Sequence, residues 1–106
     1  MTEMDTISNF GRRIGRFLNA QRVLLFGSYA EGNPREDSDV DLLVIADFEG
    51  ASCDQSVAVR MEVALPFPMD LLVRTPAMIQ KRLAMQDPFI AQILKEGKVL
   101  YEAHYD

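Results

Sequence analysis

A mixed α and β fold is predicted by this 106-residue sequence. Short apolar runs that suit buried strands alternate with segments whose apolar residues recur at helical spacing. Hydrophobic residues make up 48% of the chain and charged residues 25%, which is typical of a globular core. The length allows one modest core, so we expect residues 1–106 to form a single domain.

Four strands are predicted from apolar runs that end at breaking residues. The first is RVLLFG at 22–27, which stops at a glycine, and the second is DVDLLVIA at 39–46. The third is MDLLVRT at 69–75. The run KVLYE near the carboxyl end predicts a fourth strand at an edge of the sheet.

Four helices are predicted from apolar spacing and capping residues. The first covers 5–19 and has one apolar stripe. The second covers about 54–65 and is expected to face inward with Val57, Met61, Ala64 and Leu65. The third covers 76–86, and the last runs from an Asp87 N-cap to Gly97. Most methionines stand among apolar neighbours and are expected to fill the core: Met4, Met61, Met69, Met78 and Met85.

The charge balance constrains the class of partner. The chain has 16 acidic and 11 basic residues and a net charge of −5, whereas direct binding to nucleic acid normally requires a basic surplus. A protein partner or a metal-bound nucleotide suits this charge better. We expect no membrane span, because no apolar run reaches the required length, and no export, because the first residues lack an apolar signal core. A single cysteine suits the reducing cytoplasm.

Two carboxylates stand at the start of the second predicted strand. Side chains alternate along a strand, so Asp39 and Asp41 project to the same face about 7 Å apart. Two such carboxylates repel each other unless a cation lies between them. Magnesium favours this arrangement, since it binds one or two carboxylates together with waters and phosphate oxygens. The pair therefore predicts a magnesium site.

A third acid occupies an equivalent place. Asp70 begins the strand at 69–75 and reaches the other two only if this strand neighbours the one at 39–46. Three acids could hold two magnesium ions, one at the attacking hydroxyl and one at the leaving phosphates. Asp70 is then the expected general base, or the ligand that positions the attacking group.

A Gly-Ser pair ends the first predicted strand. A strand that turns into a helix at Gly27 exposes backbone N–H groups, and the missing Cβ lets a phosphate approach them. The hydroxyl of Ser28 adds a further donor. Taken singly, the Gly27-Ser28 pair also suits a tight turn, Asp39 a strand edge or cap, and Asp70 a solvent-facing acid. Their combination favours a site for a nucleoside triphosphate and its metal.

The segment GSYAEGNPREDSDVDLLV at 27–44 resembles the Gly-Ser and Ser-Asp-x-Asp signature of the DNA polymerase β-like nucleotidyltransferase superfamily. The short length, PMDLLV and the tail FIAQILKEGKVLYE resemble its minimal nucleotidyltransferase (MNT) branch. The resemblance implies a polymerase β-like fold, with a small mixed sheet flanked by helices. It also implies magnesium-dependent transfer of a nucleoside monophosphate, usually from ATP. By position it assigns Gly27 and Ser28 to the nucleotide phosphates, and Asp39, Asp41 and Asp70 to catalysis and metal binding.

The resemblance also implies a partner. Many minimal members are antitoxins that silence a HEPN-domain ribonuclease toxin by binding it and by adenylylating one of its tyrosines. Two alternatives stay open: an antitoxin that neutralises its partner sterically without catalysis, and a nucleotidyltransferase for a small aminoglycoside-like acceptor. The pattern also leaves a homo-oligomer open.

One residue departs from the family pattern. Minimal members commonly read Gly-Ser-x-Ala-Arg-Gly, whereas this chain has Glu31 in place of the arginine. An acid at this place is expected to repel a triphosphate unless its side chain points away. The substitution therefore bears on nucleotide affinity and choice.

Overall fold

The computed structural model describes residues 2–63 and 66–103. The strands are β1 Arg22–Phe26, β2 Val40–Ile45, β3 Met69–Arg74 and β4 Lys98–Glu102. The helices are α1 Met4–Phe17, α2 Ser28–Glu31, α3 Ser52–Glu62, α4 Pro76–Ala84 and α5 Pro88–Glu96. The predicted strands and long helices are confirmed, with ends that shift by one to three residues. Within the described residues no helix is both long and apolar enough to cross a bilayer.

The strands form one mixed sheet in the order β3-β2-β1-β4. Strand β1 is antiparallel to both β2 and β4, whereas β2 and β3 are parallel. Both β2 and β3 therefore begin at the same end of the sheet, and β1 finishes at that end. The predicted fourth strand lies at an edge, as expected.

Helices cover the two faces of the sheet and produce two apolar clusters. On one face the alternate residues Leu25, Leu42 and Leu71 pack with Ile7 and Ile14 of α1, and Val59 of α3 joins them. On the other face Leu24, Leu43 and Ile45 pack with α4 and α5. Because side chains alternate along each strand, the odd-numbered residues of β2 and the even-numbered residues of β3 share this second face.

Helices α4 and α5 begin with side-chain caps. The hydroxyl of Thr75 accepts a hydrogen bond from the backbone N–H of Met78 at 3.1 Å, and proline is the first residue of α4. The carboxylate of Asp87 accepts one from the N–H of Phe89 at 2.9 Å, which confirms the predicted cap of α5. Both capped helices pack onto the second face of the sheet through Ile79, Ile90 and Ile93.

The predicted inward face of α3 is wrong. Val57 and Met61 are 54% and 82% exposed, and Ala64 and Leu65 lie outside the described residues. Helix α3 instead lies along β3 with a partly polar side: the Ser56 hydroxyl and the Arg60 guanidinium donate to main-chain carbonyls of that strand. This contact satisfies carbonyls at the open edge of the sheet and turns the apolar pair toward solvent.

Most methionines do not fill the core either. Only Met69 of the five is buried, and the exposed ones are Met4, Met61, Met78 and Met85. Apolar neighbours in sequence do not fix burial, because in a helix adjacent residues point in different directions.

Candidate active site

The three predicted carboxylates lie at the end of the sheet where β2 and β3 begin. Because these strands are parallel neighbours, Asp41 and Asp70 stand directly opposite each other in the ladder. Asp39 precedes β2 by one residue. The pairing on which the prediction of a three-acid site depended is therefore present.

Electrostatics also indicate that the acids are neighbours. Partial burial raises the pKa of the Asp41 carboxyl above its ordinary value, and the negative charges of Asp70 and Asp39 raise it further. Asp39 and Asp70 are themselves exposed. In the portion of the chain that the structure describes, no group of three or more acidic, histidine or cysteine side chains is placed to hold a metal ion by itself. The structure therefore sets Asp41 opposite Asp70 but does not bring Asp39, Asp41 and Asp70 together as one ligand set, and the three carboxylates form an open group.

The Gly-Ser turn faces this group from the end of β1. Phe26, the last residue of β1, pairs with Asp41, and Gly27 follows with φ of 75°. This backbone conformation strongly favours glycine. A Cβ at Gly27 would overlap the Asp41 carboxylate, so only glycine leaves room for it. Ser28 then begins α2.

The residues present fit magnesium by their donor chemistry. All three side chains offer carboxylate oxygens, which magnesium prefers, and their mutual repulsion would be relieved by a cation. Magnesium commonly takes only one or two carboxylates and completes its coordination with waters and phosphate oxygens. An open group of acids beside a glycine turn suits this mode of binding better than a complete protein cage does.

A groove beside the Gly-Ser turn was not predicted from the sequence. It has a volume of about 170 Å³ and lies between α2 and α5, with Gly27, Glu31 and Glu96 in its lining. Phe26 and Phe89 also line it, and their rings meet edge to face with centroids 5.6 Å apart. Contacts between helices so distant in sequence leave no local pattern. Glu31, the residue that departs from the family pattern, therefore stands beside the turn rather than far from it.

Comparison with known proteins gives a family. The sequence matches the family described as "Polymerase beta, Nucleotidyltransferase" over residues 14–106. It is also 28% identical over 104 residues to "Putative protein adenylyltransferase MJ0604" of Methanocaldococcus jannaschii. This alignment covers 88% of this chain and 99% of that protein.

Two solved structures share the fold. The first is described as the crystal structure of a toxin-antitoxin with AMP-PNP; it matches 92% of this chain and 74% of its own with a TM-score of 0.57 and 21% identity. The second is a mutant of the toxin-antitoxin MntA-HpeT, with a TM-score of 0.55 and 22% identity over 87% of this chain and 70% of its own. These similarities agree with the predicted arrangement of a small mixed sheet and flanking helices.

Proposed function

The chain belongs to the polymerase beta nucleotidyltransferase family, and we propose that it transfers AMP from magnesium-bound ATP to a hydroxyl of a partner protein. The observation that carries the proposal is the register of the sheet, which sets Asp41 opposite Asp70 beside the Gly27 turn. The similarity to a protein named as an adenylyltransferase supports AMP as the transferred group. The similarity to a structure with AMP-PNP supports an adenine nucleotide as its source.

Each residue has a role in this proposal. Backbone N–H groups at Gly27 and the Ser28 hydroxyl bind the phosphates, while Asp39, Asp41 and Asp70 hold magnesium. When bound, magnesium neutralises phosphate charge and makes the attacking hydroxyl easier to deprotonate. Asp70 accepts the proton of that hydroxyl. Its oxygen then bonds to the α-phosphorus, the bond from that phosphorus to the bridging oxygen breaks, and pyrophosphate leaves.

We further propose that the acceptor is a toxin that this chain neutralises, specifically a tyrosine of a HEPN-domain ribonuclease. Both structural neighbours are described as toxin-antitoxin assemblies, which supports a toxin as partner. The family resemblance of the Gly27–Val44 segment supports the HEPN class and the tyrosine. A phenolic hydroxyl suits Asp70 as a base, because its proton is lost more readily than that of serine or threonine.

The test is transfer of label from α-labelled ATP to the protein encoded beside this chain. With magnesium, the wild-type chain is expected to label the partner on tyrosine, as located by mass spectrometry. The double variant Asp39→Asn/Asp41→Asn should lose about a hundredfold in rate or more, because it removes the charges that hold the metal. Asp47→Asn, an exposed acid beyond the opposite end of β2, is the matched control. Equal labelling by the double variant would contradict the proposal.

A second candidate function is neutralisation by binding alone. It is favoured by Glu31, whose negative charge lies in the groove next to Gly27 and opposes a triphosphate. Under this candidate the Asp39→Asn/Asp41→Asn variant still protects cells from the partner. Loss of protection in that variant, with normal binding to the partner, would exclude it.

A further inference from the structure

A second, larger groove lies between β3, α4 and the start of α5, and Phe89 lines both grooves. We call it the α4 groove and define it by Leu72, Arg74, Met78, Lys81, Arg82 and Met85. Its volume of about 570 Å³ falls in the range of pockets that hold ligands. The proposed chemistry does not use these residues.

The α4 groove lies along the same face of β3 as Asp70. Asp70, Leu72 and Arg74 alternate along β3 and so share one face, and Leu72 is only about 7 Å along the strand from Asp70. Across the sheet the order is the Gly27 turn at β1, Asp41 on β2 and Asp70 on β3. If the nucleotide phosphates lie at the Gly27 turn, the acceptor hydroxyl approaches from the Asp70 side. The α4 groove is the cavity on that side.

The charge of the α4 groove is opposite to that of the chain. The chain carries a net charge of −5 and 11 basic residues, and three of these line the groove: Arg74, Lys81 and Arg82. The carboxylate in the lining is that of Asp87, which caps α5 and pairs with Arg82 at 4.0 Å. The groove therefore offers a positive surface to its occupant.

The groove also has accessible apolar side chains. Met85 is 62% exposed and Phe89 49% exposed, and the exposed side chain of Met78 also lines the groove. Methionine adapts its shape to varied partners, and exposed apolar side chains of this kind favour binding when a partner covers them. The expected occupant thus has an apolar side chain as well as negative charge.

We propose that the α4 groove docks an extended acidic segment of the acceptor protein, with an apolar side chain against Met85 and Phe89. The segment places the acceptor hydroxyl at Asp70, so this inference rests on the proposed function. Three cations, one of them paired with a carboxylate, are few for a nucleic-acid strand, which relies on many phosphate contacts. An acidic peptide with an apolar anchor matches both properties of the groove.

A peptide titration followed by amide NMR tests the groove without catalysis. The probe is a short synthetic peptide of glutamate, leucine and tyrosine; the comparison probes have lysine in place of glutamate or are single-stranded DNA of similar length. The acidic peptide is expected to shift the amide signals of α4 and of Leu72 and Arg74. No shift there with the acidic peptide, or an equal shift with DNA or the basic peptide, would overturn the inference.

Variants connect the groove to docking. Lys81→Glu/Met85→Ser changes one exposed residue of α4 and its exposed C-cap residue, and is expected to weaken peptide binding about tenfold. Lys95→Glu/Met4→Ser is the matched control, since neither residue lines the α4 groove. Equal weakening in the control, or none in the groove variant, would contradict the inference.

Transfer kinetics separate this inference from the proposed function. The groove variant is expected to raise the KM for the protein acceptor about tenfold while kcat and Mg-ATP binding stay within about twofold of wild type. An unchanged KM in an active enzyme would overturn docking in the α4 groove and leave the proposed function intact. A wild-type chain that binds the acidic peptide at α4 but transfers no AMP would instead refute the proposed function.

Discussion

Asp41 carries an electrostatic cost in the fold. Its carboxyl is partly buried beside Gly27 and lies opposite Asp70, and both burial and neighbouring charge raise its pKa. The folded chain therefore binds the Asp41 proton more tightly than the unfolded chain does. It follows that this group's contribution is most favourable at low pH and becomes unfavourable as pH rises through the raised pKa.

Replacement of Asp41 by asparagine should therefore stabilise the metal-free protein at neutral pH. Thermal unfolding of wild type and Asp41→Asn without magnesium is expected to show a gap in Tm that widens in favour of the variant as pH rises above about 4. The gap should close when magnesium and a nonhydrolysable ATP analogue are added, because only wild type gains stability from them. A gap independent of pH would contradict this account of Asp41.

Gly27 and Gly32 should differ in their tolerance of a side chain. Both have positive φ, at 75° and 83°, but ψ is −155° at Gly27, in a region essentially restricted to glycine, and 14° at Gly32. A Cβ at Gly27 would also overlap the Asp41 carboxylate, whereas one at Gly32 would meet no atom within 4 Å. Gly32→Ala should cost about 1 kcal/mol of unfolding free energy from backbone strain alone. Gly27→Ala should cost about 2–4 kcal/mol. Urea unfolding of the two variants measures the difference, and equal costs would be inconsistent with the close approach.

Glu31 is the residue at which this chain departs from the family pattern. Because it lines the groove beside Gly27, its charge opposes the phosphates of a nucleotide bound there. Glu31→Arg is therefore expected to lower the KM for Mg-ATP roughly threefold to tenfold, and Glu31→Gln by less. The control is Glu49→Arg, an exposed acid in the loop that follows β2. An unchanged or higher KM in Glu31→Arg would mean that this carboxylate does not act on the nucleotide.

At the scale of elements, the strands were predictable because apolar runs ending at glycine or proline mark buried strands directly. The orientation of α3 was not predictable. The side of α3 that contacts β3 includes Ser56 and Arg60, which donate hydrogen bonds to main-chain carbonyls of this edge strand. The spacing of apolar residues therefore predicts the wrong inward face for this helix. The face on which Asp41 and Asp70 lie could be predicted from strand alternation, whereas their position opposite each other depends on the β2–β3 pairing, which the sequence does not show. The groove between α2 and α5 could not, since it depends on how two separate helices meet.

The close contact of α1 with β4 could not be predicted from the sequence either. Two helical glycines allow it: a Cβ at Gly15 would overlap the ring of Tyr101, and one at Gly11 would come within 2.7 Å of the Leu100 side chain. Close packing of a helix on an edge strand thus requires glycine at these positions. Single glycines in a helical pattern give no sign of this role, because glycine more often marks a helix end.

The two glycines of α1 should differ in their tolerance of alanine. Gly15→Ala is expected to lower the free energy of unfolding by about 1–3 kcal/mol, because an aromatic ring packed on the helix cannot easily move. Gly11→Ala should cost less, since the flexible Leu100 side chain can shift and alanine favours the helix by about 1 kcal/mol. Chemical denaturation of both variants measures the ranking. A larger loss for Gly11→Ala would contradict this packing of α1 on β4.

At the scale of the whole molecule, the sheet order separates two sides of the proposed reaction. The Gly27 turn and the smaller groove lie at β1, whereas the α4 groove reaches β3 at Leu72 and Arg74, and Phe89 lines both grooves. A parallel β2–β3 pair within a largely antiparallel sheet is what brings the two acids together at one end of the sheet. In the proposed reaction the nucleotide binds at the Gly27 end of the row formed by the turn, Asp41 and Asp70, and the acceptor approaches at the Asp70 end.

Calorimetric titration of magnesium with a nonhydrolysable ATP analogue tests this row of carboxylates most directly. We predict that the wild-type chain and Asp47→Asn bind alike, and that Asp39→Asn and Asp41→Asn bind at least about tenfold more weakly. Asp70→Asn leaves Asp39 and Asp41 to hold the nucleotide-bound magnesium, so it should weaken nucleotide binding less than either of those variants yet transfer no AMP. Equal nucleotide binding by all four variants would contradict the claim that these acids form the magnesium site.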